Sequence, residues 1–382
     1  MDFSLSEDQE LFRKFVRKYL VDHEQTKIAR DYIAHKVDET KKMIAGLDEL
    51  GCTQLNIPEH FDGMGLGQLD LVPIFEEYGR VLMPGVYLET SAIVVPLLKK
   101  YGTEDQKQTY LTAIANQEIR ATVAWLEPGN SYAEKGIQLA ATRHNASLVL
   151  NGVKTQVPDC ELATHTLIPF RNEQRVTLAL VPLDAQGVTI RSQESFDETR
   201  KLSEITFTQV VVEPEQVIGA TEDGFALLTE ALLTYNASLS SVIVGAMEQI
   251  VHTASEYANI REQFGQPIGR YQAIKHRLAD MKLQLETARS LSYYANWAIE
   301  THSEDCHEAV YSARIFATEA FIEIAAQNIQ IHGGIGFTEE IDCHLFVKRS
   351  RFYENYLGAN ADYYEQAIQA LNWVGMNEAV RN

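Results

Sequence analysis

Arg261-Glu-Gln-Phe-Gly-Gln-Pro-Ile-Gly-Arg-Tyr-Gln-Ala-Ile-Lys-His-Arg-Leu-Ala-Asp-Met281 lies between two long stretches of helical periodicity. Its glycines and proline make a short turn with an arginine at the entrance and a second helix leaving it. Two helices that bring a permanent cation and several amide groups to one corner form a seat for a phosphate-bearing ligand. Taken alone, Arg261 reads better as a surface cation paired with Glu262 or another carboxylate.

The surrounding sequence limits what such a ligand site could serve. The chain has 382 residues, enough for two or three domains. Its formal charge is −20, with no basic face of the kind nucleic-acid binding requires, so no nucleic-acid partner is expected. No run approaches the roughly 18 consecutive apolar residues of a membrane span. The opening Met1-Asp-Phe-Ser-Leu-Ser-Glu-Asp8 lacks the basic and apolar segments of a leader peptide. Cys52, Cys160, Cys306 and Cys343 are too scattered for a C-x-x-C motif and suit reduced, cytoplasmic thiols. Cys306-His307 has no further ligands at a suitable spacing, so no metal site is expected.

Three characters follow one another along the chain. Residues 1–118 read as an N-terminal helical domain. Ser6 and Gln9 fit a capping box, and Leu11, Phe12, Phe15, Val16, Tyr19 and Leu20 keep a helical spacing. Helix resumes over Leu71–Tyr78 and Thr103–Ile119. Gly63, Gly65 and Gly67 alternate without a preceding strand, which is not a dinucleotide-binding pattern. Residues 119–223 read as an antiparallel β domain: Leu148 and Leu150 alternate into Asn151-Gly152, a hairpin signal, and Arg175–Val181 and Glu204–Val212 are β-rich. Residues 224–382 read as a C-terminal four-helix bundle. Ile274, Leu278, Met281, Leu285, Ala288, Leu291 and Ala295 form one stripe, and Val310, Ala313, Ala317, Ala320 and Ile324 another. The fold expected is thus mainly α with a central β domain.

Gln330-Ile-His-Gly-Gly-Ile-Gly-Phe337 follows the second stripe. One of its glycines would serve as a helix C-cap. Three within four residues also suit close approach of a ligand to the backbone, and physics alone leaves the two readings level. His276 and His332 each lack a visible base or orienting partner and read as structural. No G-x-S-x-G, H-E-x-x-H or Walker A sequence is present.

Arg261-x-x-Phe264-Gly265 with Gln272, followed by Gln330-Ile-His-Gly-Gly-Ile-Gly-Phe337, resembles the acyl-CoA dehydrogenase family. Ile57–Leu66, Glu127-Pro-Gly129 and Gly219–Phe225 extend the resemblance across essentially the whole chain. It implies FAD, bound between the β domain and the bundle and reaching across a dimer interface. Carried over by position, Arg261, Gln263 and Phe264 would meet a neighbour's FAD, and Gln272 its adenine side. Gln330, Gly333 and Gly334 would line the pyrophosphate path, and Val123, Trp125 and Leu126 would approach the flavin ring. The implied reaction is α,β-dehydrogenation of an acyl-CoA: a carboxylate removes an α-proton as a hydride leaves for the flavin, which an electron-transfer flavoprotein reoxidises. A homo- or hetero-oligomer, dimer or tetramer, is implied as well.

The sequence departs from that family at three points. The usual catalytic glutamate falls at Leu357, and an alternative position falls near Tyr235; Glu230 and Glu354 lie nearby in sequence as weak candidates for the base, each reading better as a solvated helix-face residue. The family's Trp-Ile-Thr flavin contact falls at Gln156-Val157-Pro158. Glu127-Pro-Gly129 continues as Asn130-Ser-Tyr. These features, with Val244–Glu248 and Leu357–Asn360, resemble a branch that includes small subunits of pimeloyl-CoA-type dehydrogenases. Two functions are therefore expected: an FAD-dependent acyl-CoA dehydrogenase, or a non-catalytic binding subunit of a heteromeric one that lacks its own base.

Overall fold

A computed structural model describes residues 5–23 and 26–371; Met1–Ser4, part of the segment read for a leader, lie outside them. The helices are α1 (Glu7–Asp22), α2 (Lys27–Ile33), α3 (Val37–Glu49), α4 (Gln68–Arg80), α5 (Tyr87–Glu89), α6 (Val95–Tyr101), α7 (Glu104–Gln106), α8 (Thr112–Ala115), α9 (Gly224–Ile260), α10 (Gln272–Thr301), α11 (Cys306–His332), α12 (Cys343–Asn355) and α13 (Asn360–Ala370). The strands are β1 (Ala121–Val123), β2 (Ala141–His144), β3 (Ser147–Pro158), β4 (His165–Asn172), β5 (Arg175–Pro182), β6 (Val188–Gln193), β7 (Leu202–Val212), β8 (Val217–Ile218), β9 (Glu262–Gln263) and β10 (Gln266–Pro267). They fold as two compact units.

Among the described residues, the helical unit takes in Gln68–Met83, those up to Arg30 and those from Asn236 onward. Its first helix opens with the capping box anticipated at Ser6 and Gln9: each donates its backbone N–H to the other's side chain. Of the six apolar residues on the α1 stripe, Val16 and Leu20 are buried, whereas Leu11 and Phe15 face outward. The sequence supplies more apolar residues than one packed face of this helix can cover. On α10 the stripe buries Met281, Leu285, Ala288 and Ala295, and on α11 all five stripe residues are buried. The alanines let these long helices approach closely.

Contact is tightest where α4 crosses α9. A Cβ on Gly79 would lie 1.8 Å from the Val242 carbonyl oxygen, and one on Gly245 would lie 1.8 Å from that of Glu76. The two backbones therefore touch, and each helix uses its glycine to admit the other. Arginines and glutamates surround this crossing. Arg13 meets Glu76 and Glu77 at 3.0 Å, Arg17 meets Glu77 at 2.5 Å, Arg80 meets Glu248 at 3.4 Å, and Arg289 meets Glu248 at 3.2 Å. Burial pushes the Glu76 carboxyl up to about 7, with Arg13 and Arg289 opposing the shift. Such a network specifies the register of α1, α4, α9 and α10 because breaking one partner strands a buried charge.

α9 passes the length and hydropathy test for a membrane helix, although no uninterrupted apolar run had suggested one. In the protein, 78% of its most apolar window is buried, as for a core helix.

The second unit comprises Asp31–Gly67 and Pro84–Tyr235. Its two four-stranded sheets have the orders β1-β4-β5-β8 and β2-β3-β7-β6. All pairings are antiparallel except β1 with β4. Both sheets contribute to one core, including Leu150, Val157, Ile168, Phe170, Val181, Ile205 and Phe207. Asn151-Gly152 is not a hairpin turn. It lies inside β3, where the register with β7 shifts, and the Asn151 side chain accepts from the Gln209 backbone. The turn is at Asn145-Ala146, between His144 and Ser147. Asn-Gly tolerates the backbone of a bulge as well as that of a turn, so the dipeptide alone does not separate them.

The α4–α9 crossing sets a direct test. Gly245→Ala should destabilise the helical unit by about 3 kcal/mol, because neither backbone can withdraw without losing the ion pairs around it. Differential scanning calorimetry should show its melting temperature reduced by several degrees; an unchanged melt would mean that the crossing yields easily.

Candidate cofactor site

The Arg261 stretch folds as a small hairpin between α9 and α10. β9 pairs with β10 through a two-residue turn, Phe264-Gly265, with φ of 51° and 82°. Two positive φ values are what a type I′ hairpin turn requires, and glycine satisfies only one of the positions. Phe264 is a bulky residue held in left-handed geometry, and it is 94% exposed. Strain combined with exposure at an aromatic side chain marks a place built to meet something. Tyr271 Oη donates to the Gln263 carbonyl at 2.9 Å, and Ile268 N–H donates to the Arg261 carbonyl at 2.8 Å. These bonds hold the hairpin while the Arg261 and Gln263 side chains stay exposed, as does Gln272 at the start of α10. Arg261 forms no ion pair among the described residues, so the surface pairing with Glu262 does not occur.

α11 brings the glycine segment to the same place. Tyr257, one turn before Arg261, stacks on His332 with ring centroids 4.3 Å apart, and its hydroxyl donates to the His332 carbonyl at 3.4 Å. Gly333 adopts φ 66° and ends α11, its N–H donating to the Ile329 carbonyl. This is the C-cap. A Cβ on Gly333 or Gly334 would still meet nothing within 4 Å, whereas one on Gly336 would lie 2.8 Å from the Ile329 oxygen. Packing therefore explains Gly336 but does not explain Gly334. An exposed cation, polar amides at Gln263 and Gln330, and an open glycine backbone form a donor set that fits a pyrophosphate. His276 lies further along, on a groove of about 480 Å³ between α10 and α11 shared with Arg277, Asp280, Gln284 and Glu323.

The residues expected near the flavin ring lie at the end of β1 and just after it, in the other unit. Val123, Trp125 and Leu126 are all buried. β3 pins this exit: Lys154 Nζ donates to the Trp125 carbonyl at 3.1 Å, and Thr155 N–H donates to the Leu126 carbonyl at 2.8 Å. Lys154 also pairs with Glu127 at 2.8 Å, and Glu127 accepts from the Gln138 and Leu139 backbones at 3.0 Å. Sequence reasoning missed Lys154. Its one signal was a charged residue at an inward position of a strand, which a local reading takes for solvent-facing.

No carboxylate occupies the usual base position. Leu357 is buried with φ 59°, and Tyr363 Oη donates to its carbonyl at 2.5 Å. Arg314, fully buried, donates to the Tyr353 carbonyl at 2.5 Å and packs over the Tyr363 ring. This loop is shaped by side chains that neighbour Leu357 in space and not in sequence. Tyr235 is also buried. Glu230 bonds Lys100 at 2.6 Å and Tyr101 at the surface, and Glu354 pairs with Arg351 at 3.0 Å. Among the described residues, no group of three or more His, Cys, Asp and Glu side chains is placed to hold a metal.

Burial pulls the Lys154 ammonium down to about 8, against the opposing pull of Glu127. Above that pH the folded chain has released a proton that the unfolded chain keeps until about 10.4. Lys154 therefore makes the wild type gain stability as pH rises from 8 toward 10. Lys154→Met removes this increment, so the wild-type minus variant difference in melting temperature should grow across that window. A constant difference would show that the ammonium titrates normally.

The family profile described as acyl-CoA dehydrogenase, N-terminal domain, matches residues 6–118, and that described as acyl-CoA dehydrogenase, C-terminal domain, matches residues 222–369. The chain is 28% identical over 368 residues to the probable acyl-CoA dehydrogenase YngJ of Bacillus subtilis, covering 93% of this chain and 95% of that one. Butyryl-CoA dehydrogenase from Megasphaera elsdenii superposes with a TM-score of 0.89 at 24% identity, over 97% of this chain and 100% of that one. The FAD complex of PigA also reaches 0.89, at 23% identity, over 97% and 99%. These superpositions carry the fold, and the two profiles together take in most of the chain. With the paired hairpin and glycine motifs, they establish that this chain belongs to the acyl-CoA dehydrogenase family, whose members are flavin oxidoreductases.

Proposed function

We propose that this chain binds FAD and serves the α,β-dehydrogenation of an acyl-CoA thioester, passing electrons to an electron-transfer flavoprotein. The observation that carries this reading is the open corner beside the hairpin: among the described residues, Arg261 is exposed without an ion pair, Phe264 is strained and exposed, and Gly333-Gly334 have nothing packed against them. The hairpin accounts for the left-handed backbone at Phe264 and the helix end for Gly333, but neither requires an exposed arginine, an exposed aromatic side chain at the turn or a glycine at position 334. Arg261 would neutralise a phosphate, and Gln263, Gln272 and Gln330 would donate to or accept from its polar neighbours. Lys154 and Thr155 hold the β1 exit rigid for the ring. When bound, FAD supplies the acceptor for the hydride that leaves the β-carbon. The α-proton needs a base within hydrogen-bond reach, and Leu357 cannot provide one.

Leu357 favours a second reading, in which the chain is a subunit of a heteromeric acyl-CoA dehydrogenase, as the resemblance to small subunits of pimeloyl-CoA-type enzymes suggests. In that reading the chain holds cofactor and substrate while a partner removes the proton. The two readings share FAD binding and differ in whether the chain reacts alone.

The chain purified alone and reconstituted with FAD should absorb between about 350 and 500 nm. Bleaching of those bands by an acyl-CoA under anaerobic conditions supports the self-sufficient enzyme, and bleaching only after a partner subunit is added supports the second reading. A chain that takes up no FAD alone excludes the self-sufficient enzyme, and one that takes up none with the partner subunit present excludes both. The glycine cradle has its own test. Gly334→Ala, which the fold can accommodate, should weaken FAD binding about tenfold with an unchanged melting temperature; undiminished affinity would remove Gly334 from the site.

A further inference from the structure

α10 is packed along only part of its length. Its buried residues begin at Met281 and recur to Ala298, whereas residues 272–280 contribute none. The apolar stripe read from the sequence starts earlier, at Ile274 and Leu278, yet both are only half-buried. Roughly two and a half turns of helix thus stand without a covering layer. A helical segment so short has little stability of its own in water and takes it from packing.

Beside these turns runs the groove of about 480 Å³ between α10 and α11. Its walls are fixed: Arg277 donates to the Gln327 side chain, and Gln327 donates to Glu323. On its open side Leu283 is 67% exposed. The Asp280 carboxylate is exposed too, and it forms no ion pair among the described residues. Ala273, Arg277, Asp280 and Gln284 follow one another at helical steps of four, three and four, which sets them in one line down α10.

The order of charge in that line selects the occupant. The chain carries a net charge of −20, so two copies repel unless opposite charges meet where they touch. In a two-fold contact, whatever one residue does to a second is returned by the second to the first. An axis passing between Leu278 and Ala279 lays a second α10 antiparallel to the first. Arg277 then faces Asp280 of the partner subunit, and the reverse pair follows by symmetry. The same axis sets Ala273 against Gln284 of the partner subunit, small against long. An axis through Arg277 or Asp280 would oppose like charges instead. A partner of one charge sign would answer only half of this line, whereas a copy of the same helix answers both.

We propose that the uncovered turns of α10 and the groove beside them form a homotypic interface, in which a second copy of this chain lays its own α10 antiparallel along the groove and Arg277 pairs with Asp280 in both directions. This goes beyond the FAD reading and does not rest on it.

Sedimentation velocity of the full chain at micromolar concentration should show the wild type associated. Asp280→Arg opposes two pairs of like charges and should raise the dissociation constant of that association about a hundredfold. Arg277→Asp should act in the same direction. The double variant, which exchanges the two charges, should return to within about threefold of wild type. If variants at Arg277 fail to fold, because Arg277 also holds Gln327, Leu283→Arg tests the same face through a side chain that is already exposed, and it should weaken association as well. A wild type that sediments as a monomer overturns the proposal. So does an oligomer whose dissociation constant is unmoved by Asp280→Arg and Leu283→Arg, since it would assemble through another surface. Flavin absorbance of the same samples reads FAD uptake separately, so the failure of either idea is visible without the other.

Discussion

The backbone contact between α4 and α9 at Gly79 and Gly245 is the constraint on which the helical unit is built. It fixes where α9 runs, and α9 ends at the hairpin that carries Arg261. Tyr257 on the last turns of α9 then stacks on His332, so the end of α11 and its glycine segment are located by the same helix. A shift at the crossing would therefore move both the hairpin and the glycine segment. The arginines and glutamates around it make sliding costly, since any displacement leaves a buried charge without its partner.

The β1 exit follows a different principle. There the chain is held by one side chain reaching across from β3 and one backbone bond beside it. Lys154 is wholly buried, and its ammonium divides between a carboxylate and the Trp125 carbonyl. An ion pair in that setting contributes geometry more than stability, because desolvation offsets much of the attraction. What it secures is the direction of a short segment in which apolar side chains and one unsatisfied indole are packed together.

Much of the fold was legible in order of elements. Helical stripes on α10 and α11, the Ser6–Gln9 box and the strands β5 and β7 were all readable, because each is a local periodicity or a local capping signal. The misreadings arose where one local pattern serves two geometries. Asn151-Gly152 accommodates a bulge as readily as a turn, and Leu11 and Phe15 continue a helical stripe whose outer edge nothing in the same unit covers. The site was half legible. Arg261 and the glycines could be named from their motifs, but Lys154 and Arg314 could not, since a charged residue in sequence gives no sign that it is buried.

By itself, the sequence determined the helix periods, the turn chemistry at Gly265 and the glycine run after His332, together with the family they mark. Those are short-range properties, set by propensity and by which residues accept positive φ. The tertiary structure alone decided that Arg261 stays exposed without an ion pair among the described residues, that Phe264 is presented in strained geometry, and that the Trp125 N–H is buried with no partner among them. Each depends on which neighbours arrive from distant parts of the chain. Burial and pairing are properties of that assembly of neighbours, and no window of sequence contains them.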